Sequence, residues 1–211
     1  MRTLIVVLSL LLVTACQSAY YSTMEKVGVH KRDILAERVN KAQAAQQEAQ
    51  QEFKSALAQF STLIKFDGGD LQKQYEQTHE QYQDCSEAAA LVSERINSIE
   101  DVAEALFDEW QEELDMYTST KLKQESAAKL RATQRQYQQL ISTMRQAESS
   151  MAPVLDSLRD NSLYLKHNLN AQAIGALRDE FASIERDITK LINNMNKAIR
   201  ESQQFIATLK Q

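Results

Sequence analysis

Apolar side chains recur every three or four residues through most of this chain, and very little interrupts them. Four successive runs follow this spacing: Leu35–Leu63, Leu71–Trp110, Leu130–Leu165 and Ile174–Leu209. An average spacing of about 3.5 residues places the apolar positions on one stripe of an α-helix. The chain has only four glycines and one proline, so few positions break a helix. We therefore predict an all-α fold without strands.

Three short polar segments predict where the helices end. Gly68 and Gly69 interrupt the first run, and Asp70 is a good N-cap for the second. The segment Thr118–Thr120 can turn the chain and cap the third helix, and Asn170 can cap the fourth. Pro153 lies inside the third run and predicts a kink, or a break near residue 150, because proline lacks an N–H. The predicted helices span about 33–66, 70–117, 120–168 and 171–209.

Short connections between long helices indicate that neighbouring helices are antiparallel. Several apolar stripes are wider than a coiled-coil seam, which favours a four-helix bundle over a two-stranded coiled coil. We predict an elongated antiparallel bundle, and its repeat of about 3.5 residues predicts a left-handed supercoil. Acidic residues concentrate at 101–115 and basic residues at 121–135, so a hairpin of the second and third helices would bring opposite charges together.

The N-terminus has the pattern of a bacterial lipoprotein signal. Arg2 precedes the apolar run Leu4–Val13, which is too short to span a bilayer. Val13-Thr14-Ala15-Cys16 resembles the lipoprotein box, in which the cysteine receives a diacylglycerol. The alternative is an ordinary signal peptide with a chance cysteine. We predict a signal peptide at 1–15, a lipidated Cys16 with its tether at 16–32, and one helical domain at 33–211.

Localisation and partners follow from this signal and from the composition. Gln17 takes the place where lipoproteins retained in the inner membrane often have Asp, so we expect the outer membrane, facing the periplasm. The net charge is −5, which argues against nucleic acid as a partner. The expected contacts are the membrane, through the acyl chains, and an envelope protein or the cell wall. The oligomeric state is left open.

Few residues suggest chemistry, and no cofactor is predicted. Glu76 and His79 form an E-x-x-H pair that could share a metal on one helix face, but the second such pair of a di-iron bundle is missing. A solvated helix face explains the pair better. Cys85 falls on the apolar stripe and is expected to be a buried, inert thiol. No phosphate-binding loop or nucleophile motif is present.

Aromatic residues near the hairpin turn are weak candidates for binding a partner. Phe107 and Trp110 lie close to the predicted turn, and large aromatic side chains often anchor interfaces. The alternative is that Trp110 packs in the core.

Five segments together resemble an uncharacterised family of Gram-negative bacterial proteins, a domain of unknown function with predicted helical lipoproteins. They are VGVHKRDILAERV, QQEFKSALAQF, FDGGDL, VAEALFDEWQEEL and YLKHNLNAQAI, and the resemblance covers most of residues 24–206. The family implies no activity and no catalytic residues.

The first hypothesis for function is a non-enzymatic envelope lipoprotein, a structural or adaptor bundle tethered to the membrane. The alternative is a periplasmic carrier of a metal or a small apolar ligand in the bundle interior. An enzyme with an unrecognised site is a third possibility.

Overall fold

A computed structural model describes residues 28–209, apart from the side chain of residue 171. The described part is all-α and contains no strand, which confirms the predicted fold class. Its helices are α1 (Lys31–Leu63), α2 (Leu71–Leu114), α3 (Thr120–Ser149), α4 (Met151–His167) and α5 (Ala171–Leu209).

The third predicted helix is divided at Ser150, as Pro153 predicts. The Ser150 N–H donates to the carbonyls of Gln146 (3.3 Å) and Ala147 (3.2 Å), and this closes α3. Pro153 then lies in the first turn of α4, where a backbone N–H has no partner within the helix and its loss costs little. Helices α3 and α4 follow each other as two parts of one rod.

The resulting four rods pack in a ring. Helix α1 contacts α2 and α5, and the α3–α4 rod contacts α2 and α5 from the opposite side. Lys31 Nζ lies 2.9 Å from Glu109 Oε1, so the start of α1 lies beside the end of α2. Gln50 Nε2 donates to Asn196 Oδ1 at 3.0 Å, while Arg178, near the start of α5, contacts the end of α1. Neighbouring rods are therefore antiparallel, and the packing is that of a bundle.

The positions of the four apolar runs form the core. Of the residues spaced three or four apart that make up the stripes, all those of the first run are buried, and none of those in the other three runs is exposed. The largest side chains with almost no exposure include Phe53, Phe60, Ile96, Met144 and Leu165. The sequence periodicity therefore identified the buried face of each rod. The handedness of the supercoil stays a prediction.

The helix ends differ from the predicted bounds by a few residues. We expected α1 to run to about residue 66, but it ends at Leu63 because short turn bonds replace the helical ones. The N–H of Lys65 donates to the Thr62 carbonyl (3.2 Å), and the N–H of Phe66 to the Leu63 carbonyl (3.0 Å). Helix α2 ends at Leu114 rather than near 117 in the same way.

Three predicted caps are present. Asp70 accepts from the Lys73 N–H (3.2 Å), Ser119 from the Leu122 N–H (3.4 Å), and Asn170 from the Ala173 N–H (3.1 Å). Gly69 has φ of +125°, a value that side chains rarely allow. The three caps and the backbone at Gly69 lie in the connections between successive rods.

Candidate functional site

The predicted lipidation residue, Cys16, and the whole signal sequence lie outside the described residues. The structure does give the point at which the chain enters the bundle. Helix α1 begins at Lys31, beside Glu109 of α2. The chain therefore enters at the end of the bundle that carries the α2–α3 turn, which we call the hairpin end. The opposite end, with the α1–α2 and α4–α5 connections, is called the loop end.

Phe107 and Trp110, the candidate partner-binding residues, lie near the hairpin end. Trp110 is buried, and its Nε1–H donates to Ser126 Oγ of α3 at 2.8 Å. The Arg32 guanidinium lies 5.5 Å from the centre of the indole ring. Phe107 is half-buried and meets the Tyr137 ring edge-on at 5.3 Å. This geometry agrees with core packing, and the anchoring role of the two residues stays a prediction.

Trp110 belongs to a small core that is separate from the main one. It packs with Leu114 and Leu130, while Phe107 and Ala127 pack against this group. The group connects α2 with α3 beside the first turn of α1, and Phe107 packs against both this group and the main core. An open groove of about 630 Å³ runs beside it. The groove brings His30, Lys31 and Arg32 together with Glu109, Glu113, Trp110 and Tyr117.

The E-x-x-H pair lies in α2 towards the loop end, with Glu76 exposed and His79 half-buried against α4. Glu76 is exposed and accepts a hydrogen bond from the side chain of Gln72 at 2.9 Å. His79 Nδ1 lies 3.1 Å from Ser162 Oγ of α4, and the imidazole stacks on Tyr75 with ring centres 5.7 Å apart. Within residues 28–209 no group of three or more His, Cys, Asp or Glu side chains is placed to hold a metal ion.

Cys85 is fully buried, as its place on the apolar stripe predicted. Burial raises the pKa of its thiol to about 12, and the carboxylates of Glu52 and Asp84 add to this shift. The thiolate is the nucleophilic form of cysteine. Cys85 is therefore a side chain of the core, with a thiol that stays protonated at neutral pH.

Two polar features were not predicted: a half-exposed arginine contact between α2 and α3, and a buried glutamine in α1. Arg145 of α3 contacts both Glu100 and Asn97 of α2, with Nη2 at 2.7 Å from Asn97 Oδ1, and also contacts Glu148. The hydrogen bond that Arg145 donates to the Glu100 carboxylate raises the pKa of Arg145, and the contact with Glu148 adds to this shift. Gln46 is fully buried in α1, and neither atom of its amide has a hydrogen-bond partner among the described residues.

Exposed apolar side chains cluster at the hairpin end and were missed in the sequence analysis. Met116, Tyr117 and Leu122 are 76%, 42% and 53% exposed, and all three lie at the turn between α2 and α3. We call these three residues the tip. A signal was available, because Met116 and Leu122 fall outside both apolar runs although they are large and apolar. Leu163, Tyr164 and Leu169 are the comparable exposed residues near the loop end.

The charges around the tip are mixed. Asp115 Oδ1 pairs with Lys123 Nζ at 2.9 Å across the turn, which agrees with the predicted pairing of an acidic with a basic segment. Within the described residues this is the one direct ion pair between segments 101–115 and 121–135. Lys121 instead pairs with Glu125, one turn further along α3, at 3.9 Å.

Residues 28–209 thus form a long all-α bundle with an apolar core, and their exposed large apolar side chains lie near its two ends. None of the helices in the described residues combines the length and the apolar character needed to cross a bilayer. The chain matches, over residues 20–209, the family described as "Protein of unknown function (DUF2959)", and it belongs to that family. No curated protein and no solved structure matches it.

Proposed function

We propose that this protein is an envelope lipoprotein: a non-enzymatic helical bundle, tethered to the membrane through acylated Cys16, that acts as a structural element or an adaptor. The observation that carries the proposal is the segment Val13-Thr14-Ala15-Cys16, directly after an apolar run. Gln17 after the cysteine favours the outer membrane, with the bundle in the periplasm. An envelope protein or the cell wall is the proposed partner.

The arrangement of the rods supports this role. Helix α1 starts at the hairpin end and is 33 residues long, so it extends roughly 50 Å from the point where the tether enters, at about 1.5 Å per residue. A tethered rod of this kind can hold a partner at a set distance from a membrane. The core positions along the rods are occupied by packed apolar side chains, which supports a structural role more than a carrier role.

One observation favours the alternative, a carrier of a metal or small apolar ligand. The amide of Gln46 is buried without a partner among the described residues, and buried polar groups are normally hydrogen-bonded. A ligand or a water molecule beside Gln46 would satisfy it. Elemental analysis and native mass spectrometry of the purified protein test this alternative. A stoichiometric metal or lipid that is lost from Gln46→Leu would favour the carrier over the adaptor.

The lipid anchor is tested with the two cysteines of the chain. We expect the mature wild-type protein to begin at Cys16, to carry acyl chains by mass spectrometry, and to float with the membrane fraction. Cys16→Ser should abolish acylation and flotation, since acyl chains supply the membrane affinity. The matched control, Cys85→Ala, should retain both. A mature wild-type protein without acyl chains would refute the proposed anchoring.

The adaptor role is tested by photo-crosslinking in cells. A photoreactive amino acid at exposed Gln47 of α1, or at exposed Leu169 of the loop end, should capture one envelope partner from the anchored protein. The same probe in Cys16→Ser should lose that crosslink, because the untethered bundle is no longer held near the membrane. Identical crosslinks from the anchored and the soluble protein would contradict the tethered role.

A further inference from the structure

Among residues 28–209, α2 and α3 extend beyond α1 and α5 at the hairpin end. Lys31, the first residue of α1, lies beside Glu109, so the turn that follows α2 lies beyond the first residue of α1. Helix α5 ends at Leu209, and its Phe205 ring lies 6.4 Å from that of Tyr137 in α3. The two-helix hairpin therefore projects roughly 10 Å past the first residue of α1, at about 1.5 Å per residue.

The end of this projection is apolar. Met116, Tyr117 and Leu122 expose 76%, 42% and 53% of their surface, within a segment of the chain that runs from 116 to 122. Clustered apolar side chains at the end of a projection are typical of an interaction surface. Asp115, Lys121 and Lys123 are the charged residues nearest the turn, and Asp115 and Lys123 neutralise each other. Glu112 and Glu113 lie one turn further from the tip.

The chain that precedes the bundle determines what faces this tip. From Cys16 to Lys31 there are 31 − 16 = 15 residues, which span at most about 50 Å when fully extended. The tether enters at the hairpin end, so an acylated Cys16 brings the tip to the same membrane. The loop end lies a further length of α1 away. Tethering raises the effective concentration of the tip at the bilayer, so even a weak apolar contact is populated.

We propose that the tip inserts Met116, Tyr117 and Leu122 into the headgroup region of the bilayer that holds Cys16. This inference rests on the proposed function, since it requires the lipid anchor. Tyrosine is typical of membrane interfaces because its ring is apolar and its hydroxyl remains hydrated. The acyl chains and the tip are two attachments at one end of the rod. Together they hold the long axis at a steep angle to the membrane, with the loop end far from it.

A cysteine introduced at the tip provides the probe. Met116→Cys is labelled with an environment-sensitive nitrobenzoxadiazole dye in the full mature protein, with acylated Cys16, in vesicles of phosphatidylethanolamine and phosphatidylglycerol. Cys85 does not compete for the label, because it is fully buried in the core. Leu169→Cys is the matched control: it replaces an apolar residue that is 40% exposed, but at the loop end.

We expect the emission of the tip label to shift to the blue and to lose about half or more of its intensity to nitroxide lipids, since interfacial side chains lie ~5–10 Å deep. The control label should show neither effect. High salt should leave the tip signal unchanged, because the proposed contact is apolar. In Tyr117→Ser/Leu122→Ser the quenching of the tip label should fall towards that of the control, while circular dichroism remains that of the wild type.

Four outcomes separate this inference from the proposed function. Acylated protein with an unquenched tip label overturns the insertion and leaves the lipoprotein intact. Equal quenching at both ends means that the rod lies flat, and also overturns it. A tip signal that depends on protein concentration and not on vesicles indicates association of two copies, which overturns it as well. Absence of acyl chains on Cys16 overturns both the inference and the proposed function.

Discussion

Within residues 28–209 each end of the bundle exposes three large apolar side chains, but the helices pack differently at the two ends. At the loop end, Phe60 of α1 stacks on Phe181 of α5 at 5.9 Å, and the Arg178 guanidinium donates to the Ile64 carbonyl at 2.8 Å. All the rods take part in packing there. At the hairpin end, α2 and α3 pack around Trp110 and two leucines, and α1 reaches this group with its first turn, where Arg32 lies over the indole ring. One continuous heptad pattern therefore runs through two parts that are packed differently, and we expect these parts to differ in local stability.

The largest expected effect is at the loop end. Phe60→Ala removes a side chain that is 1% exposed and lies in the main core, and it should lower the free energy of unfolding by about 3–5 kcal/mol. Urea unfolding followed by circular dichroism measures this change. Leu122→Ala, at an exposed position, is the control and should change it by less than about 0.5 kcal/mol.

At the hairpin end the corresponding change should act locally. Trp110→Ala empties the small core, so the free energy of opening residues 110–130 should fall by about 3 kcal/mol. Hydrogen exchange should show lost protection in those residues and retained protection in α1. The milder Ser126→Ala, which removes only the partner of the indole N–H, should cost about 1 kcal/mol. Equal loss of protection throughout the bundle would contradict the proposed independence of the hairpin.

Two glycines near the loop end should have opposite effects on stability when they are replaced by alanine. Gly69 has φ of +125°, and a Cβ there would lie 3.4 Å from the Phe66 ring, so Gly69→Ala should cost about 1–3 kcal/mol. Gly175 is helical, with open space around its Cβ position. Gly175→Ala should therefore stabilise the protein by up to about 1 kcal/mol. Thermal unfolding of both variants tests whether the turn at Gly69 is as constrained as the φ value indicates.

The smallest effect is confined to alkaline solution. Burial, followed by the charge of Glu100, raises the pKa of Tyr137 from 10.0 to about 12. The folded state therefore keeps the proton more tightly than the unfolded state. This contribution is complete below pH 10 and is lost as the pH rises towards 12. In Tyr137→Phe the free energy of unfolding, measured by urea denaturation, should depend less on pH in that range. A variant with the same pH dependence as the wild type would show that Tyr137 is not responsible.

Much of the fold was predictable because it depends on local chemistry. Asp70, Ser119 and Asn170 cap helices by bonds to residues three positions away, and such bonds depend only on neighbouring sequence. The break before Pro153 follows from its missing N–H. The buried faces followed from the spacing of apolar residues. The exact ends of α1 and α2 were less predictable, because short turn bonds compete with helical ones there.

The candidate site was predicted less well. Trp110 was predicted to lie near the turn. Its hydrogen bond to Ser126 and its contact with Arg32 depend on the axial alignment of the helices relative to one another. The same is true of Arg145 with Glu100, and of His79 with Ser162. The tip was missed because an apolar residue outside a run carries no periodic signal. The tip projects because α2 and α3 extend past the first residue of α1 at that end.

The order of the residues was enough to predict that four amphipathic rods form, which face of each is buried, and where the chain turns. These properties follow from residue spacing and from contacts between near neighbours. The packing of the helices was needed to establish which residues meet across the rods, that α2 and α3 project beyond the first residue of α1, and that α1 begins at the end of the bundle that carries the tip. A repeat of about 3.5 residues is satisfied equally by registers that differ by one heptad. The packing of particular side chains selects one of them.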